Sequence, residues 1–285
     1  MNEDFKEFFI DTADVGYIND TLYLLAREDY EILKHFKGVT TNPNAMAKVG
    51  SHSLAEWMET LSEILRTLLM HKINTGPVEL HIQLPNTQSI TTNEVAAFVN
   101  KLHGLCELFN EEGDFDGKLS FGLKISPLQL SQLWDIKDSG FLVNVTGCAD
   151  YASILRAASY EVDYASLIPG RMEERGINAN AHMSYLKSCN LGTTKVITGS
   201  MRTVAGLKNA FAFGTIPTIG TRVWDEIFKK RVVFRPTFLE SLMLTPSARI
   251  EPVLITGESQ DLTNEFFDSM DDLGLRAYMG VRLLV

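Results

Sequence analysis

Leu119-Ser120-Phe121-Gly122-Leu123-Lys124-Ile125-Ser126 is an apolar run with a single ammonium inside it. Short runs of this kind, without strict alternation, read as strands covered on both faces, as in a parallel sheet. A lone lysine in such a strand is costly to desolvate. Burial depresses its pKa and frees an amine that can attack a carbonyl. The plainer reading is a strand-end lysine that snorkels to solvent.

Similar runs recur on both sides of this one. They predict strands at Glu7–Thr12, Gly38–Asn42, Val78–Leu84, Gly140–Thr146, Val162–Ile168, Thr194–Ser200 and Ile216–Gly220. Helical patterns fall between them, at about 15–35, 54–70, 90–109, 128–137, 149–158, 179–188, 203–212 and 222–230. In the clearest helix Leu54, Trp57, Met58, Leu61, Ile64, Leu65 and Leu68 share one face at 3.6-residue spacing. Eight strand–helix alternations predict an α/β chain folded as one closed (β/α)8 TIM barrel, residues 1–230. An open doubly wound sheet is the runner-up, but no GxGxxG or GxxxxGK[ST] follows any strand. The pattern changes after Lys230. Residues 231–285 form a C-terminal extension carrying Pro236, Pro246 and Pro252. An amphipathic helix is expected there at about Thr263–Leu273, with Phe266, Phe267 and Met270 on one side, packed on the barrel or on a neighbouring subunit.

Composition narrows the function classes. The 285 residues are 45% hydrophobic and 22% charged, ordinary for a soluble globular chain. A formal net charge of −10 argues against nucleic acid as a partner, so the positive charge that binds an anionic substrate must be local. Cys106, Cys148 and Cys189 show no CxxC or Cys/His metal spacing and read as incidental thiols of a reducing compartment. The start, Met1-Asn2-Glu3-Asp4, lacks the basic-then-apolar pattern of a signal peptide, and no apolar run approaches the ~20 residues of a membrane span. A cytoplasmic location, no membrane partner, no metal and no cofactor are the expectations.

Chemistry in such a barrel gathers at the C-terminal ends of the strands. The predicted strands deliver Asp11 and Thr12, then Thr40-Thr41-Asn42, then His81 and Gln83, then Lys124, then Asn144 and Thr146. The sixth ends in Ser166 ahead of Gly170-Arg171, and the seventh in Ser200 ahead of Arg202. One amine, one carboxylate, one imidazole, several hydroxyls and amides and two guanidiniums thus converge on one mouth. That is the layout of a carbonyl-chemistry site with an anion clamp. Each residue also has a plainer reading: Asp11 as a helix N-cap, Asn42-Pro43 as a turn, His81 as a hydrogen-bonded core histidine, Arg171 as a solvated pair and Ser200 as an N-cap.

Six segments together resemble the transaldolase family, and especially its short branch that includes the fructose-6-phosphate aldolases. They are Phe9-Ile10-Asp11-Thr12-Ala13, Gly38-Val39-Thr40-Thr41-Asn42-Pro43, Gly122-Leu123-Lys124-Ile125, Asn144-Val145-Thr146, Ser166-Leu167-Ile168-Pro169-Gly170-Arg171 and Gly199-Ser200-Met201-Arg202. The resemblance implies a class I enzyme that moves a dihydroxyacetone unit between phosphorylated sugars. Lys124 would form the Schiff base, Asp11 would move the proton on the hydroxyl beside the scissile bond, and Thr146 would hold a catalytic water. Asn42, Asn144 and Ser166 would bind the dihydroxyacetone hydroxyls, and Arg171, Ser200 and Arg202 the phosphate. It also implies a homo-oligomer. Two positions depart from the family. It places a glutamate, or a glutamine in the aldolase branch, on the third strand, and an ungapped line-up puts His81 there, with Gln83 two residues on along the same face. Ile168 stands where an aromatic residue helps to separate the two branches. His81 is the expected water-activating group, as a neutral imidazole. Fructose-6-phosphate aldolase is the alternative activity. The second alternative is a catalytically impaired scaffold that retains the barrel.

Overall fold

The computed structural model describes residues 7–28, 30–71, 77–84, 92–111, 119–127, 130 and 133–229. The C-terminal extension and its expected helix lie outside these residues.

The eight expected strands are β1 (Phe8–Asp11), β2 (Phe36–Thr41), β3 (Val78–Gln83), β4 (Leu119–Ile125), β5 (Leu142–Cys148), β6 (Tyr164–Leu167), β7 (Lys195–Thr198) and β8 (Ile216–Gly220). They pair in parallel in chain order, and β8 closes on β1 through Phe9–Thr218, Ile10–Ile219 and Asp11–Gly220. Ten helices surround them among the described residues: α1 (Val15–Glu28), α2 (Pro43–Lys48), α3 (Leu54–Met70), α4 (Thr92–Glu111), α5 (Leu133–Asp138), α6 (Tyr151–Ala158), α7 (Pro169–Glu174), α8 (Ala179–Ser188), α9 (Val204–Ala212) and α10 (Thr221–Lys229). A 3-10 turn at Tyr30–His35 takes the end of the segment expected to continue α1.

Local chemistry sets these boundaries. Ser53 and Glu56 form a reciprocal capping box at the start of α3, whose buried face carries Leu54, Trp57, Leu61, Ile64, Leu65 and Leu68 as the periodicity requires. Full burial of each such aliphatic side chain contributes about 1.5–3 kcal/mol against the chain-ordering cost. Helices α2 and α7 were not foreseen. Each has six residues, too few for a periodic signal, and each opens on proline, Pro43 or Pro169, whose fixed φ suits the first helical turn. They follow β2 and β6 directly, so both frame the mouth of the barrel.

The strands bury both faces, and two cores result. The larger packs strand residues such as Ile10, Val39, Leu80, Leu123 and Val145 against the helices. The smaller fills the barrel itself, where Phe9, Tyr164, Ile197 and Ile216 cluster. Gly38 has a φ of +151°, and a Cβ there would lie 1.8 Å from the Glu79 carbonyl oxygen, so β2 approaches β3 only because this position carries no side chain. Above the inner apolar cluster, polar side chains line the mouth.

Candidate active site

Alternation along each strand decides which residues reach the mouth. On β4 it points Gly122 and Lys124 inward, and on β3 Glu79, His81 and Gln83. The register pairs His81 with Gly122 and Gln83 with Lys124. Asp11, Thr40, Asn42, Gln83, Lys124, Asn144, Thr146, Ser166, Ile168, Ser200 and Thr218 are among the residues lining a cleft that is partly open to solvent. Of the ten residues given site roles from the sequence, seven line it together: Asp11, Asn42, Lys124, Asn144, Thr146, Ser166 and Ser200.

Lys124 does not snorkel. It is 7% exposed, and its ammonium donates to the Thr41 carbonyl oxygen at 3.1 Å. Burial drives its pKa below the ordinary lysine value, and the opposing charge of Asp11 offsets this only in part. The neutral amine needed for nucleophilic attack is thereby favoured. Asp11 accepts a 2.7 Å hydrogen bond from the Thr40 hydroxyl. It is not the cap of α1, because Asp14 holds that role by accepting from the Tyr17 amide at 2.9 Å. Asn42 combines two placements. It lines the cleft, and its Oδ1 caps α2 through the Ala45 amide at 3.0 Å.

The segments after β6 and β7 carry Arg171, Ser200 and Arg202. Ser200 has a φ of 56°, unusual for a non-glycine residue, and lies at the mouth; Thr203 is the cap of α9, through the Gly206 amide. A Cβ on Gly170 would lie 1.9 Å from the Ser200 carbonyl oxygen and 3.1 Å from Arg202 Cγ, so the start of α7 is pressed against the segment after β7. Arg202 donates through Nε to Glu174 at 2.7 Å, which holds that carboxyl below its ordinary pKa. Arg171 is half-buried on α7. Neither arginine lines the cleft itself.

His81 is placed differently from the sequence expectation. It is fully buried beneath the cleft, with Phe9 and Tyr164 rings 4.9 and 5.0 Å away. Its Nε2 meets Glu79 Oε2 at 2.8 Å and its Nδ1 meets Asn144 Nδ2 at 3.1 Å. Burial lowers its pKa in spite of Glu79, so the ring is neutral. The β3 residue that lines the cleft, level with Lys124, is Gln83. Its signal was available, since it shares the inward face of the strand with His81. Glu79 was not singled out. Burial alone would raise its carboxyl, but the His81 hydrogen bond and the nearby Lys37 charge hold it below the ordinary range. Lys37 lies 3.2 Å from Glu79 Oε1, and the Tyr164 hydroxyl donates to the same oxygen at 2.9 Å.

All three cysteines are free thiols. Among the described residues no helix is long and apolar enough to cross a membrane.

No family model matches the chain. It is similar to curated proteins described as probable transaldolases. One, from Bartonella henselae, is 27% identical over 227 residues, 78% of this chain and 89% of that one. One from Anaeromyxobacter dehalogenans is 25% identical over the same shares, and one from Coprothermobacter proteolyticus is 25% identical over 233 residues, 80% and 92% of the two chains. The similarity to proteins described as probable transaldolases thus extends over most of this chain and most of theirs.

Proposed function

We propose that this chain is a class I, Schiff-base transaldolase that moves a dihydroxyacetone unit between phosphorylated sugars. The observation that carries the reading is Lys124, a buried amine of depressed pKa at the mouth of the barrel, close enough to Asp11 to feel its charge. The amine adds to the ketose carbonyl, and loss of water gives an iminium ion. Asp11 takes the proton from the hydroxyl two carbons from the imine carbon, on the far side of the scissile bond, and that oxygen becomes the carbonyl of the departing aldose. The carbon–carbon bond then breaks, and its electron pair is drawn into the iminium to leave an enamine. The aldose product departs, and the enamine adds to the carbonyl of an acceptor aldose. Asn42, Asn144 and Ser166 face the three-carbon unit, and Thr146 holds the water used in forming and hydrolysing the imine. Ser200, Arg171 and Arg202 at the rim take the phosphate, where a guanidinium offers charge-assisted hydrogen bonds. No metal or cofactor enters this chemistry. The protein is proposed to act in the cytoplasm as a homo-oligomer.

A specific observation favours a second reading, fructose-6-phosphate aldolase. The cleft presents Gln83 beside Lys124, and glutamine on the third strand is the pattern of the aldolase branch. In that case the enamine is protonated and the imine hydrolysed, releasing free dihydroxyacetone.

Borohydride reduction in the presence of fructose 6-phosphate, followed by peptide mapping, tests the shared chemistry. A dihydroxyacetone-sized adduct on Lys124 is expected. Folded protein that yields none points to the scaffold alternative. Acceptor assays on active protein then separate transfer from release.

A further inference from the structure

We propose that Glu79 and His81, beneath the cleft, are positioning residues that fix the hydrogen-bonding polarity of Asn144 and Ser166, so that Ser166 faces the substrate as an acceptor for a donated hydroxyl. The inference rests on the sugar-phosphate reading above and specifies one of its recognition contacts.

The argument follows the donors along a chain. A carboxylate oxygen can only accept. Glu79 Oε2 sits 2.8 Å from His81 Nε2, so that nitrogen carries the ring proton. The imidazole is neutral, which leaves Nδ1 as a lone pair. Asn144 must then turn its Nδ2–H toward Nδ1, at 3.1 Å. Its Oδ1 is thereby aimed at Ser166, whose hydroxyl donates to it at 2.6 Å. The proton of Ser166 is spent, and its oxygen offers lone pairs to the cleft it lines. A ligand group there has to be a donor. A ketose hydroxyl satisfies this, and a deoxy or methoxy analogue does not. The far end is equally determined. Glu79 Oε1 accepts from Tyr164 at 2.9 Å and faces Lys37 at 3.2 Å, which commits the other carboxylate oxygen to His81.

Glu79→Gln reverses the whole sequence with one atom. Tyr164 and Lys37 keep the amide oxygen on their side, so the new NH2 faces His81 and donates to Nε2. The ring proton moves to Nδ1. Two donors would then confront each other across 3.1 Å, so Asn144 flips and Ser166 becomes a donor toward the cleft. Long-range proton–nitrogen correlation spectra of the full-length chain read the ring tautomer directly. The wild type is expected as the Nε2–H form and Glu79→Gln as the Nδ1–H form. The kcat/KM for fructose 6-phosphate is expected to fall about 10- to 100-fold, the range for one misdirected hydrogen bond in a buried site. Inhibition by inorganic phosphate at the rim stays unchanged. Where Glu79→Gln does not fold, His81→Asn and His81→Leu decide. Asparagine keeps an acceptor for Asn144 and recovers most of the kcat/KM that leucine loses. A wild-type ring protonated on Nδ1, a tautomer switch with unchanged kcat/KM, or equal losses in the asparagine and leucine variants overturns the inference. Absence of any trapped adduct in the wild type strikes the sugar-phosphate reading instead, while the ring spectra still report whether Glu79 sets the tautomer.

Discussion

Gly122→Ala tests the packing that lets a histidine sit inside this barrel. Position 122 faces His81 across the β3–β4 register. A Cβ there would lie 2.7 Å from His81 Cδ2 and 2.8 Å from both Cγ and Nε2. These are well inside contact distance, and the ring has nowhere to retreat. It is held by Glu79 and Asn144 and flanked by the Phe9 and Tyr164 rings. The backbone at 122 does not need glycine for its conformation, since its φ is not positive. The penalty is thus one of overpacking, typically about 1–3 kcal/mol, less about 0.4–1 kcal/mol returned by the stiffer unfolded chain. For a domain of this size the net loss lowers the melting temperature by several degrees, at about 2–4 °C per kcal/mol. Gly104→Ala is the matched control. No atom lies within 4 Å of its added Cβ, and it sits inside α4, so it gains about 0.5–1 kcal/mol. Thermal unfolding of the two variants gives opposite signs. The displaced ring also disturbs Asn144, so kcat/KM falls along with stability in Gly122→Ala. Adding His81→Asn makes room for the methyl and restores part of both. Gly122→Ala with wild-type melting and wild-type turnover would refute the reasoning.

Lys124→Met removes the amine and keeps the apolar stem. Turnover falls by roughly 10⁴-fold or more and borohydride trapping disappears; residual trapping elsewhere on the chain would show that another amine carries the reaction. The same variant changes the pH dependence of stability. The folded pKa of Lys124 is depressed, so below its unfolded value the unfolded chain binds the extra proton and wild-type stability rises as the pH rises through that window. Methionine removes this slope, which equilibrium unfolding at several pH values detects. Asp11→Asn removes the charge that props up the amine's pKa, so the pH midpoint for imine trapping moves to lower pH even as turnover drops; a shift to higher pH contradicts the assignment. Arg202→Ala raises KM for a phosphorylated ketose about 10- to 100-fold with kcat changed little, while KM for the unphosphorylated sugar stays put. Equal effects on both sugars would remove Arg202 from phosphate binding.

The barrel was legible because its strands announce themselves twice, by apolar composition and by regular alternation with helices. The bounds of α3 and α8 fall where the helical patterns put them, at 54–70 and 179–188, and β4 ends at Ile125, one residue short of the expected Ser126. What stayed hidden was short or long-range. Helices α2 and α7 have six residues each and no periodicity to detect. Glu79 was not singled out, because only closure of the barrel brings Lys37 and Tyr164 to it.

The third strand shows why alternation alone leaves the height of an inward-facing residue open by one step. Inward-facing residues repeat every second position, so Glu79, His81 and Gln83 are equivalent to any argument from alternation. They differ by about 7 Å of height per step of two residues, and height is set by pairing with the next strand. An ungapped line-up from Gly76 chose His81. The register instead sets Gln83 level with Lys124 and puts His81 one step lower, opposite the only kind of residue that leaves room for its ring. The imidazole therefore meets the inner apolar cluster on one side and the polar mouth on the other, and it touches the mouth through Asn144 alone of the cleft-lining residues to which it hydrogen-bonds. A histidine so placed can transmit an orientation to the site, and it is Gln83 that lines the cleft level with Lys124.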